Sequence, residues 1–255
     1  MRRPDFSFIF KFHTLLLIAI FLLAGCTSTN KKINLSPREL ITEGKHQIKL
    51  KSYNKAKEHF HQLLEDYPDS KERVQALLYL ANTYYIDDEY EESKFHYRKF
   101  IELHPANRLV DRAYYYKAMS DFKMREIATR DQTNTIAALE GFEDIIKRFP
   151  KSPLIAKAVK KKNECLAILA ISDFEVGKFY YRTGAYQSAI SRLKNVRETY
   201  PNQSFADEAI YLIAESYLEE ENYSEAKESF IELLQKYPKS KFSIEARVRL
   251  RTLRR

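Results

Sequence analysis

"YNKAKEHFHQLLEDYP", residues 53–68, is the stretch on which the fold turns. Apolar or aromatic residues fall at 53, 56, 60, 63, 64 and 67. That is a single stripe at the 3.6-residue period of a helix. Pro68 closes the segment, because proline lacks an N–H and disfavours the α conformation in the residue before it. Four more segments superimpose on it: "YEESKFHYRKFIELHP", "TIAALEGFEDIIKRFP", "YQSAISRLKNVRETYP" and "YSEAKESFIELLQKYP", ending at Pro105, Pro150, Pro201 and Pro238. Each carries a small residue three positions in (Ala56, Ser93, Ala138, Ala189, Ala226) and a large one four later (Phe60, Tyr97, Phe142, Leu193, Phe230). Five alignments of this kind define a repeat.

A second helix precedes each of these. Its marker is a small residue 24 positions before the proline, at Gly44, Ala81, Gly177 and Ala214, and at Ala118 once eight extra residues in the third unit are allowed for. Small residues there let the two helices approach closely. The pattern of small, aromatic, aromatic, Ala, Phe and Pro resembles the tetratricopeptide repeat. The resemblance implies an all-α superhelix of five helix-turn-helix repeats plus a C-terminal capping helix. No pair buries its own apolar faces alone, so neighbours stack.

The unequal spacing places the extras. Repeat 3 gains a loop, "REIATRDQT", between its helices. Repeat 4 gains 14 residues without a breaker, so "LIAKAVKKKNECLAILAISDFEVGKFYY" forms one long helix with Ser152 as N-cap and Pro153 at its first position. "SPRE" at 36–39 is a capping box for the first helix. The expected organisation is therefore residues 36–153 for repeats 1–3, and 154–255 for the long helix, repeats 4–5 and the cap.

Residues 1–25 open with Met1-Arg2-Arg3 and continue into an uncharged run from Thr14 to Gly25, too short for a membrane span of about 20 residues. They fit a secretory signal peptide. "LLAGC" resembles a bacterial lipobox, which makes Cys26 the lipidated first residue of the mature chain and 26–35 a tether. Thr27 follows the cysteine where inner-membrane-retained lipoproteins carry Asp, so the outer membrane is expected. Cys165 is the other cysteine, so no internal disulfide forms, and a buried inert thiol is expected.

The formal charge of +8 raises nucleic acid as a partner. Export and the interspersed carboxylates argue against it. Two basic clusters stand out, Lys157 with Lys160 to Lys162, and the stretch from Lys236 to Arg255. A P-loop, a Gly-rich dinucleotide turn, G-x-S-x-G and His-Glu-x-x-His are all missing from the sequence. His59 and His61 face different ways on their helix. No enzyme activity, cofactor or metal is expected.

What such a fold offers is a groove lined by the first helix of each repeat. Positions that line it in tetratricopeptide proteins correspond here to Arg38, Ile41 and Lys45 in repeat 1, Gln75, Leu78, Asn82 and Tyr85 in repeat 2, and Arg112, Tyr115, Met119 and Phe122 in repeat 3. Asn82 would hold a peptide backbone, the tyrosines would stack on side chains, and an Arg would pair with a terminal carboxylate.

Lipobox, short tether, enlarged third repeat and long helix together resemble the BamD family of outer-membrane β-barrel assembly lipoproteins, most specifically over "RDQTNTIAALEGFEDIIKRFPKSPLIAKAVKKKNECLAILAISDFEVGKFYYRTGAYQSAISRLKNVRETYP". The resemblance implies a non-enzymatic scaffold, lipid-anchored in the outer membrane and facing the periplasm. Its N-terminal repeats would take the C-terminal segments of unfolded outer-membrane proteins. Its C-terminal repeats would hold the periplasmic domain of the barrel subunit BamA, with Arg192 at the interface, and other Bam lipoproteins would bind too. Asp121 and Thr135 depart from the pattern, which has aromatics there. The rival reading is a periplasmic tetratricopeptide adaptor for cell-wall or envelope-division proteins.

Overall fold

A computed structural model describes residues 35–253. The signal segment, Cys26 and nearly all of the tether lie outside the described residues. The described residues form eleven helices: α1 (Pro37–Lys49), α2 (Tyr53–Asp66), α3 (Arg73–Ile86), α4 (Tyr90–Leu103), α5 (Val110–Lys123), α6 (Thr133–Arg148), α7 (Ile155–Arg182), α8 (Tyr186–Thr199), α9 (Ala206–Glu219), α10 (Tyr223–Lys236) and α11 (Ser243–Thr252). The first ten make five antiparallel pairs, and α11 comes last, alone. Each helix packs on its neighbours in sequence, and the first helices of adjacent repeats also touch, α1 on α3, α3 on α5 and α7 on α9.

Turn chemistry repeats with the sequence. In repeats 1, 2, 4 and 5 the pair is joined by a Schellman-type turn, in which the N–H of Ser52, Glu89, Ala185 or Asn222 reaches back to the carbonyl of Gln47, Tyr84, Tyr180 or Tyr217 at 2.8–3.0 Å. The residue before each donor is left-handed: Lys51, Asp88, Gly184 and Glu221, with φ of 57°, 61°, 78° and 56°. Links between repeats span the prolines, at 67–72, 104–109, 149–154, 200–205 and 237–242. Two of them share a device: the Ser152 hydroxyl donates to Asp111 at 2.6 Å, and the Ser240 hydroxyl to Asp207 at 2.7 Å. Those hydroxyls also accept the N–H two residues on. Ser152 thus ends up in the link, and α7 starts at Ile155, three residues beyond the expected N-cap.

The core explains the spacing of small and large residues. Phe60, Phe142, Leu193 and Phe230 are fully buried, and Tyr97 is 1% exposed. A Cβ on Gly44 would stand 2.5 Å from Phe60 Cε1, and one on Gly177 2.6 Å from Leu193 Cδ2. Hence glycine at these two close approaches. A second register is cleaner still: the residue eight after each proline is alanine (Ala76, Ala113, Ala158, Ala209, Ala246), and all five are fully buried. They mark where each first helix meets the preceding repeat. Asp121, where an aromatic was expected, is fully buried on α5 and lies 2.6 Å from Lys94 Nζ of α4. An ion pair there replaces aromatic packing.

Candidate functional site

A cavity of about 500 Å³ opens between α3 and α5. Gln75, Leu78 and Asn82 of α3 form one wall and Arg112 of α5 the other. Tyr97 and Phe100 of α4 make the floor, and Lys71, Asn107, Arg108 and Leu109 of the two flanking links form the rim. Among the described residues no carboxylate lines it. Burial pushes the Tyr97 phenol upward, and burial with neighbouring tyrosines takes Tyr85 at the helix end to about 12. These rings therefore stay neutral, and the charge of the groove comes from Lys71, Arg108 and Arg112. The Arg112 guanidinium lies 5.5 Å above the Tyr116 ring, which holds it across the wall.

Of the eleven residues expected in the groove, Gln75, Leu78, Asn82 and Arg112 line this cavity. Arg38 is exposed and paired with Glu72 at 3.3 Å. Lys45 lies over the Tyr79 ring at 5.6 Å. Ile41, Tyr115, Met119 and Phe122 are buried, at 4–8% exposed. Their side chains pack inward, Tyr115 and Phe122 against Phe142, and support the wall instead of offering surface. Tyr85 makes edge contacts with Tyr90 and Tyr116. The sequence alone did not bring in Lys71, Arg108 or Tyr97. Two sit in links and one on a second helix, and only the small residue four before Tyr97 signalled how near the groove it packs.

Repeats 4 and 5 treat the same face differently. Lys178 of α7 meets Glu208 of α9 at 3.3 Å, and Lys241 meets the other Glu208 oxygen at 3.6 Å. Arg249 of α11 grips Glu215 of α9 through two bonds of 2.9 and 2.8 Å, with Glu215 only 5% exposed. Arg192 sits on α8 with its side chain 54% exposed, 3.7 Å from Asp173 Oδ1. Asp173 also accepts a bond of 2.9 Å from Asn195. Cys165 is fully buried, and burial pushes its thiol up to about 11. His61 bonds the Tyr84 hydroxyl at 3.0 Å and packs edge-on against His96, so it serves in packing. Among the described residues no cluster of three or more His, Cys, Asp or Glu could hold a metal ion.

Stacked helix pairs with an open face between first helices define a tetratricopeptide-repeat protein, and residues 208–240 match the tetratricopeptide-repeat family model. Residues 34–220 match the family model described as outer membrane lipoprotein, YfiO, and the chain belongs to that family. A protein of Rickettsia prowazekii called outer membrane protein assembly factor BamD is 31% identical over 91% of this chain and 93% of the relative. One of the same name from Caulobacter vibrioides is 28% identical over 88% of this chain and 75% of the relative. A solved tetratricopeptide-repeat protein from Bacteroides fragilis is 14% identical with a TM-score of 0.44, covering 86% and 98% of the two chains. The family places the chain at the outer membrane, and like its relatives it is not an enzyme.

Proposed function

We propose that the chain is a lipid-anchored, periplasm-facing component of the β-barrel assembly complex, which receives unfolded outer-membrane proteins in repeats 1–3 and docks the complex's barrel subunit through repeats 4–5. The open cavity between α3 and α5 carries this reading. Its rim and wall hold three cations and no carboxylate, and its amides and aromatic floor suit an extended peptide that ends in a carboxylate. Asn82 and Gln75 bond the peptide backbone, and Arg112 or Arg108 pairs with its terminus. Arg38, Lys45 and Tyr85 extend the same face, while Ile41, Tyr115, Met119 and Phe122 hold it in shape.

Residues 36–153 act as the receptor and 154–255 as the docking unit. Arg192, half exposed and oriented by Asp173, meets a carboxylate on the periplasmic domain of BamA. Other Bam lipoproteins bind the chain as well. Cys26 carries the lipid, which anchors the chain without a spanning helix.

Titrating the mature protein with a fluorescent C-terminal peptide of an outer-membrane protein tests the receptor. Arg112→Glu should weaken binding about tenfold, equivalent to roughly 1.4 kcal/mol, and equal affinity would remove the groove from the function. Arg192→Glu should lower co-purification of the barrel subunit, with unchanged recovery counting against its role. Recovery of envelope-division proteins in place of that subunit would favour a periplasmic adaptor. Cys26→Ser should release the folded repeats from membranes, and continued palmitate labelling of that variant would refute the anchor.

A further inference from the structure

The two edges of the repeat array differ in charge. At one edge lie the turns inside each repeat, which are acidic in repeats 2 and 5 (Asp87, Asp88 and Glu89; Glu220 and Glu221), basic in repeat 1 (Lys49 and Lys51) and mixed in repeat 3 (Lys123, Arg125 and Arg130 with Glu126 and Asp131). At the other lie the links between repeats. Around the second and third links cluster Arg108, Arg112, Lys147, Arg148 and Lys151, and a second open cavity of about 570 Å³ runs between those links past Arg108, Arg148 and Lys151.

The carboxylates nearby are engaged. Asp111 accepts the Ser152 hydroxyl, Asp144 lies 3.3 Å from Arg148, and Glu102 lies 4.0 Å from Arg98. Lys71, Arg108, Arg112, Lys147 and Lys151 make no ion pair among the described residues. Repeat 1 adds Glu65, Asp66 and Asp69 at this edge, so the basic surface belongs to repeats 2 and 3. Leu103 and Leu109, 51% and 37% exposed, add apolar tips beside it.

The tether reaches the array at the same edge. First helices run from the link edge to the turn edge, so Pro37, which starts α1, stands level with the links of repeats 1–3. Ten residues separate Cys26 from Pro37, and even fully extended they reach only about 35 Å. We infer that the basic link edge of repeats 2 and 3 rests against the anionic phospholipid headgroups of the leaflet that holds the lipid anchor. The inference builds on the anchor proposed above. Charge attracts Lys and Arg to such a surface within about a Debye length, some 8 Å at physiological salt, and the short tether keeps this edge within reach. The groove between α3 and α5, whose rim is built from the first two links, then opens toward the membrane.

The mature lipoprotein reconstituted on vesicles tests this with dyes at introduced cysteines. Ala106→Cys labels the link edge and Thr129→Cys the turn edge of repeat 3, while Cys165 stays unlabelled because it is buried and its thiol is held protonated. Energy transfer to headgroup acceptors should be greater from position 106 than from 129 on vesicles containing phosphatidylglycerol. The excess should vanish on phosphatidylcholine alone, at about 1 M salt where the Debye length is about 3 Å, and in a variant combining Arg108→Glu, Lys147→Glu and Lys151→Glu. Equal transfer from both positions, or an excess indifferent to lipid charge, overturns the inference. Flotation with vesicles at high salt reports the anchor separately: protein that fails to float refutes the anchor, and protein that floats without the excess refutes only the orientation.

Discussion

Asn82 and Glu215 occupy the same place in their repeats, 23 residues ahead of Pro105 and Pro238, and their fates are opposite. Asn82 looks into an open cavity with a cationic rim. Glu215 is shut under Arg249. Lys178, at the same position of repeat 4, is tied to Glu208. One backbone framework thus makes a receptive face in repeats 2 and 3 and a self-satisfied one in repeats 4 and 5. What differs is where the charges are put. Around α3 and α5 the buried ion pair, Lys94 with Asp121, is hidden between helices α4 and α5 and leaves the inner face free. In the C-terminal half the pairs lie across the inner face and hold α11 in place.

The largest test of that contrast is Arg249→Ala. It strands the Glu215 carboxylate in a site that is 5% exposed and should cost roughly 3 kcal/mol by denaturant unfolding. Asn82→Ala should change stability by no more than about 0.5 kcal/mol while weakening peptide binding. Equal losses of stability would break the distinction between a closed face and an open one. Gly44→Ala and Gly177→Ala probe what the halves share. Each places a Cβ within 2.6 Å of a neighbouring side chain and should cost about 1–3 kcal/mol, read as a fall in Tm in both halves alike.

Acid should separate the halves. His96 is buried against His61 and Tyr84, and burial, with His61 and Lys99 nearby, lowers its pKa to about 4. A base with a lowered folded pKa contributes stability that is complete above its unfolded value of about 6.5 and is lost as pH falls toward 4. Hydrogen exchange should therefore show α2 to α4 loosening between those limits while α9 to α11 hold. His96→Phe should remove the difference, and a uniform response along the chain would count against this source. The smallest effect is expected at the left-handed turn residues. Lys51→Gly and Glu221→Gly should each gain about 0.5–1 kcal/mol, because only glycine takes φ near 57° without strain. Asp88 should gain less, since it accepts a hydrogen bond from Tyr90.

The repeats were legible in the sequence because proline, glycine and alanine act locally: each stops a helix or permits a contact wherever it stands. The prolines and the residue eight beyond each of them account for where helices end and where repeats meet. The groove was half legible. Gln75, Leu78, Asn82 and Arg112 follow from the resemblance to tetratricopeptide repeats, whereas the burial of Tyr115, Met119 and Phe122 depends on how closely α6 and α7 approach α5. Charge pairing was not legible. Lys57, for instance, is held by Asp87 and Glu89, 30 and 32 residues away, and nothing local distinguishes those carboxylates from solvated ones.

The long helix α7 also sets the spacing of the two halves. In repeats 2, 3 and 5 the alanine that meets the preceding repeat and the small residue that meets the repeat's own second helix are five residues apart; in α7, Ala158 and Gly177 are nineteen apart. Fourteen added residues translate repeats 4 and 5 by about 21 Å and turn them by about 40° less than four full rotations. Both repeats are thus carried along one rod with little change of phase, as across a dislocation in a crystal row. The open face of repeats 2 and 3 and the closed face of repeats 4 and 5, which a regular array would have run together, are thereby kept as separate surfaces.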